Sequence, residues 1–245
     1  MLNVKPEREI QTWVDLATPA GRLAAEAVGW SRRPLHRTDL GALWGRRKRW
    51  EYWAVLGTEA MFAVTLADFD YAGLAAVSLL EYDTWTLTER ALLTPLAAGL
   101  SMPQQFADPG AAVSFAALGL HVELCSQAAH TRLHAEFGRG RGRLIADLRI
   151  ERPPTQQSLS VAIPWSAARY QYTSKHVGLP ASGTVMVGNR RYEFTRDQGA
   201  RAVIDHGRGR WPRRASWIWA CAAEAPASRA ETVGFNLGGR WTEGT

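Results

Sequence analysis

The sequence predicts an all-β chain of antiparallel strands, and three observations carry that prediction. Apolar residues recur with period two along most of the chain. Gly, Pro and polar turn residues interrupt these runs at short intervals. No segment sustains a helical period; residues 20–28 could form one short helix at most. Many short strands separated by turns specify an antiparallel sandwich or barrel.

In chain order, strand patterns fall at 50–56, 60–68, 71–82, 84–93, 112–117, 119–125, 130–137 and 143–150. At 157–163, QSLSVAI sets Leu159, Val161 and Ile163 against Ser158, Ser160 and Ala162, the alternation of a half-buried strand. A strand follows at 169–176. TVMVGNRRYEF then predicts a hairpin, because Gly188-Asn189 suits a two-residue turn. Pairing Val187 with Arg190 sets Val185 opposite Tyr192 and Gly183 opposite Phe194, an amphipathic register. Further strands fit 201–206, 215–223 and 231–238. GRGRGR at 138–143 reads as a loop. ERPPTQQ at 151–157 reads as a corner, since paired prolines cannot sit in a central strand. The corner suggests two domains, 1–164 and 165–245, each built of strands.

The chain has 245 residues, 46% hydrophobic and 21% charged, enough apolar material for a sizeable core. Its formal charge of +6 permits anionic partners without establishing one. Two cysteines, Cys125 and Cys221, are too few for a disulfide framework and fit a reducing, cytoplasmic setting. The first residues lack the apolar core of a signal peptide, and no apolar run is long enough for a transmembrane helix.

Seven of eleven tryptophans lie in two basic segments, residues 29–53 and 204–223. Trp50 and Trp53 of the first and Trp211, Trp217 and Trp219 of the second are candidate ligand-binding aromatics. Trp217, Trp219 and Cys221 share one strand face, which could line a ligand cavity or pack as plain core. Asp205 and His206 are candidate acid–base groups; as neighbours on a strand they point to opposite faces. Asp205 could instead pair with Arg208 or Arg210. Asp68 closes the apolar stripe Phe62, Val64, Leu66, either as a buried acid or as a turn cap. Lys175 shares a polar face with Gln171 and Thr173, as a solvated side chain or an anion ligand. His121, Cys125, His130 and His134 form the polar face of a hairpin and lack the spacing of known metal motifs, so no metal is expected. No phosphate loop, dinucleotide fingerprint or nucleophile elbow occurs, so no cofactor is expected.

GWSRRPLH (29–36), WGRRKRWEYW (44–53), DFDYAG (68–73), IPW (163–165), TSKHVGLPASGTV (173–185), GRGRWP (207–212) and NLGGRWTEGT (236–245) together resemble the bacterial domain of unknown function 2804 family. Members continue for several tens of residues past the last of these motifs, so the resemblance implies a C-terminally truncated chain. The Trp-x-Trp pattern of the family carries a polar central residue, where this chain has Ile218. Ile204-Asp205-His206 with Trp211 and Trp217-Ile218-Trp219 is similar, more distantly, to motifs of the carotenoid hydratase and AttH-like group. That similarity implies lipocalin-like barrels in tandem, the second incomplete. It also implies a hydrophobic small-molecule ligand, bound by a cyclase, hydratase or isomerase or by a non-catalytic carrier. Interleaved Arg and Trp would also suit nucleic acid, a third and weaker reading that needs the basic runs to share one face.

Overall fold

The computed structural model describes residues 7–41, 44–106, 108–212, 214–224 and 232–239. The described residues hold eighteen strands and two short 3-10 turns, Ala25–Ala27 and Gly140–Gly142. The N-terminal segment contributes β1 (Val14–Asp15), β2 (Gly29–Ser31) and β3 (His36–Arg37). A first meander follows: β4 (Lys48–Leu56), β5 (Ala60–Asp68), β6 (Ala72–Glu81) and β7 (Leu87–Pro95). A second comprises β8 (Leu100–Ser101), β9 (Ala112–Ala117), β10 (Leu120–Ser126), β11 (His130–Phe137) and β12 (Leu144–Glu151). The remainder is β13 (Leu159–Ser166), β14 (Arg169–Val187), β15 (Arg190–Phe194), β16 (Arg201–Arg210), β17 (Ile218–Glu224) and β18 (Val233–Gly239). The expected boundary at residue 164 falls within β13.

The main sheet runs β7-β6-β5-β4-β16-β14-β12-β11-β10-β9-β8, with β13 and β15 also paired to β14 and β2 to β13. It is antiparallel throughout and curls into a half-barrel, consistent with a lipocalin-like fold. β14 joins the two meanders. Tyr170–Pro180 pairs with β16, and Ala181–Val187 pairs with β12. At about 3.3 Å per residue this strand is roughly 60 Å long, enough to serve both neighbours in succession. The two parts meet at a bulge between Val177 and Leu179, where Gly178 takes a φ of 81°. The strand expected at 169–176 continues to Val187, because the bulge carries it past Gly178.

The hairpin register follows the sequence expectation: Val187 faces Arg190, Val185 faces Tyr192 and Gly183 faces Phe194. Only Gly188 of the turn pair has positive φ, 56°, as the type II′ turn asks of its first central residue.

The larger core fills the curl between the meanders with Phe62, Val64, Leu79, Phe115, Val122, Leu133 and their neighbours. A smaller one packs the N-terminal segment, Ile10, Val14, Leu16 and Leu40, onto Tyr170 and Tyr172. The segment β4–β16–β14 lies where the two meet, and β17–β18, a separate two-stranded sheet, contacts β14.

Candidate functional site

Strand alternation gives β4–β16–β14 two chemically different faces. On the first, register places Arg49 beside Arg208 and Tyr172, and Glu51 beside His206 and Ser174. Here the arginines of GRGR meet acids, so we call it the arginine face. On the second, Trp50 lies beside Gly207 and Thr173, and Tyr52 beside Asp205 and Lys175. This is the tryptophan face.

The arginine face is sealed. Glu51 is 1% exposed, and both Arg208 and His206 are fully buried. Arg208 donates to Glu51 Oε1 at 3.2 Å and to the carbonyls of Trp50, Gly207 and Pro103. Trp53 Nε1 donates to Glu51 Oε2 at 3.0 Å, and His206 Nδ1 lies 3.5 Å from Glu51 Oε1. Phe106 covers His176 and His206, with ring centres 5.2 and 4.7 Å away. Ser174 bridges Ser160 at 2.8 Å and His176 Nε2 at 3.0 Å. Burial opposes charge on Glu51, but the contact with His206 and the charge of Arg208 outweigh it and hold the carboxyl below its ordinary pKa. Burial, then the nearby Arg208 charge, brings His206 down to about 4; burial, then His206, brings His176 to about 3. Burial lifts the Tyr172 hydroxyl to about 12. At neutral pH the cluster is a buried carboxylate–guanidinium pair flanked by neutral imidazoles, an internal brace; among the described residues both His206 ring nitrogens, Arg208 Nε and the Tyr172 hydroxyl have no hydrogen-bond partner.

The tryptophan face is built around space that glycine leaves. A Cβ on Gly207 would sit 2.7 Å from Trp50 Nε1, so the indole occupies the space a side chain there would need. Trp50 packs on Trp211 and Trp217 with ring centres 4.9 and 5.3 Å away, and Trp165 approaches Trp211 at 6.1 Å. Lys48 Nζ sits 5.1 Å above the Trp211 ring. Beside this group, Lys175 Nζ lies 2.8 Å from Asp205 Oδ2, and Thr173 donates to Asp205 Oδ1 at 2.8 Å. Trp219, brought in by β17, places its ring 4.4 Å from Lys175 Nζ and 5.9 Å from the Tyr52 ring. Among the described residues, the Trp50 indole N–H and both amide atoms of Gln171 are buried here without a hydrogen-bond partner.

Several sequence expectations are thereby placed. Asp205 and His206 do point to opposite faces. The partner of Asp205 is Lys175, not Arg208 or Arg210; Arg208 serves Glu51, and Arg210 donates to the Gly21 carbonyl at 2.6 Å. Lys175 is buried rather than solvated, because the hairpin β17–β18 covers its face. Trp50, Trp211, Trp217 and Trp219 gather on the tryptophan face. Trp53, three residues from Trp50, points to the other side, where it is 2% exposed and packs on Phe106. Asp68 pairs with Arg49 and accepts the Asp70 N–H at 2.7 Å, so it serves as pair and turn cap. His130 is buried, with Arg149 Nη1 2.8 Å from its Nε2, rather than lying on a solvated face. Arg47 and Arg49 are taken up by Asp70 and Asp68, whereas the arginines of the 138–143 loop are exposed. Cys125 and Cys221 are both unpaired. Among the described residues, no helix is long and apolar enough to cross a membrane.

Sequence reasoning missed Glu51, Tyr172, Ser174 and Gln171. A signal existed: GRGR at 207–210 and YQYTSKH at 170–176 both alternate with period two, which sorts Arg, Tyr, Ser and His onto one face and Gly, Gln, Thr and Lys onto the other. Among the described residues, His121, His134 and Glu136 form a group able to hold a metal ion. Two cavities are distinct from both faces: one of about 430 Å³ between β9, β10 and β11, and one of about 290 Å³ beside Arg152 and Pro180.

The family described as "Domain of unknown function (DUF2804)" matches residues 7–245. No curated protein matches the chain. Among solved structures, CghA with Sch210972 is similar at 12% identity and a TM-score of 0.47, over 82% of this chain and 60% of that one. A proposed AttH from Nitrosomonas europaea is similar at 15% identity and a TM-score of 0.49, over 76% of this chain and 59% of that one. The chain thus spans about three fifths of the length of either structure.

Proposed function

The chain belongs to the DUF2804 family, and from its geometry we propose that it binds a hydrophobic small molecule carrying a polar group, seated on the tryptophan face. The observation that carries this reading is the pairing of clustered indoles with unsatisfied polar atoms. Trp50, Trp211 and Trp217 offer broad apolar surface at low conformational cost. On the same sheet face, the Trp50 N–H and the Gln171 amide are buried without hydrogen-bond partners among the described residues. An unpartnered buried amide costs about 1–3 kcal/mol, a cost that a ligand's polar group would offset. Ligand sites combine these elements: mostly apolar walls with a few placed polar groups.

Catalysis as a cyclase, hydratase or isomerase is the second reading, and it rests on Asp205. Asp205 is the sole candidate acid from the sequence that shares a face with the tryptophans; His206 and Asp68 stand on the other. Both Asp205 oxygens are already engaged, by Lys175 and Thr173, which favours binding over proton donation. Cytoplasmic residence suits this reading, since both thiols are free.

The test is mass spectrometry of the organic extract from purified protein, wild type against Trp50→Ala and Gln171→Leu. Binding predicts an apolar compound with a polar group, enriched with wild type and depleted in both variants. Equal recovery from all three proteins would overturn the assignment to this face.

A further inference from the structure

We propose that the outer face of the second meander carries a site for a divalent transition-metal ion, with His121, His134 and Glu136 as its protein ligands. The site stands apart from the tryptophan face, on β10 and β11.

Strand register brings these residues together. His121 is directly opposite Glu136, and His134 follows on the same face two residues before Glu136. Opposed and diagonal neighbours on one sheet face are within reach of each other. One donor atom from each of the three lies within 4.8 Å of the others, and the two imidazole centres are 5.6 Å apart. Metal–ligand bonds of about 2.0–2.1 Å at tetrahedral angles set donors about 3.3 Å apart, so side-chain rotation of about an ångström closes the site.

A second observation concerns orientation. Asp147, opposite His134 on β12, lies with Oδ1 2.8 Å from His134 Nδ1. A carboxylate behind one imidazole nitrogen fixes the tautomer and presents the other nitrogen as a lone-pair donor, the usual support of a metal-ligating histidine. Two imidazoles and one carboxylate suit zinc, cobalt, nickel or iron(II) rather than magnesium or calcium. Three protein ligands leave positions open. His121 and Glu136 also line the 430 Å³ cavity, so an exogenous ligand has room to reach those positions. In the ion-free arrangement Arg143 Nη2 pairs with Glu136 Oε2 at 3.0 Å. Metal binding replaces that contact, which makes Arg143 a competitor.

The probe is Co²⁺ added to the untagged, chelator-treated chain and followed by visible absorption. The expected result is a saturable one-to-one signal. His121→Ala and His134→Ala should each weaken it at least ~100-fold, and Asp147→Asn about 10–100-fold. Arg143→Ala should tighten binding by freeing Glu136. All four side chains are partly solvent-exposed, and unfolding curves matching wild type verify that the variants fold; His121→Gln replaces any that fails. No saturable signal with wild type overturns the site. So does a signal that survives both histidine substitutions, since the ion would then sit elsewhere.

Discussion

The two faces of β4–β16–β14 share one backbone and differ in what they do with polar groups. On the arginine face, Glu51 and Arg208 are buried with each other, and Trp53 and three backbone carbonyls add hydrogen bonds to the pair. On the tryptophan face, Asp205 and Lys175 are likewise paired, yet the Gln171 amide and the Trp50 N–H are left over. Unmet hydrogen-bonding capacity occurs on both faces: His206, the Tyr172 hydroxyl and the Arg208 Nε are also buried without hydrogen-bond partners among the described residues. What differs is the company it keeps, a buried ion pair on one face and clustered indoles on the other. Burial with unmet capacity therefore marks a candidate site only where an apolar wall accompanies it.

The most severe way to break this comparison is Arg208→Met. It leaves Glu51 charged, buried and without its partner, and should cost about 3–5 kcal/mol in urea unfolding. A loss near zero would mean that the arginine face is not a brace. Acid provides a second test. His206 and His176 are held neutral in the fold at pKa values of about 4 and 3, against 6.5 in the unfolded chain. Below pH 6.5 the unfolded state binds more protons, so stability falls as pH falls. Each histidine contributes a slope of roughly 1.4 kcal/mol per pH unit until its own folded pKa is passed. Glu51, also held low, adds loss of the same sign below its ordinary value. A flat stability profile from pH 6.5 to 4 would contradict the sealed cluster. Gly207→Ala is milder: the new methyl group must displace the Trp50 indole, at about 1–3 kcal/mol, and ligand recovery should fall with it. The smallest effect has the opposite sign. Gln171→Leu removes two unpartnered polar atoms and should leave stability unchanged or raise it by up to about 1 kcal/mol, while weakening binding.

Much of the fold was legible because alternation and turn chemistry act locally. The strands Ala60–Asp68, Ala112–Ala117 and His130–Phe137 match the sequence reading to the residue, and Gly188-Asn189 set the hairpin register. The extent of β14 and β16 was not legible. The strands expected at 169–176 and 201–206 both run on: a bulge at Gly178 carries β14 onward, and Gly207 and Gly209 continue β16 with Trp50 and the β14 backbone in the space their side chains would fill. The site was legible in part. Alternation separated Asp205 from His206 and placed Trp217 with Trp219. It could not say that Lys175 would be roofed by β17–β18, or that Glu51 from a distant strand would claim Arg208, because both depend on pairings remote in sequence.

The central claim, that one face braces and the other binds, is tested most directly by measuring unfolding free energy and ligand recovery together for Glu51→Gln and Gln171→Leu. The account predicts a crossed result: Glu51→Gln loses stability and, where folded, keeps its ligand, whereas Gln171→Leu keeps stability and loses its ligand. Parallel loss of both properties in both variants, or ligand retention in Gln171→Leu, would contradict it.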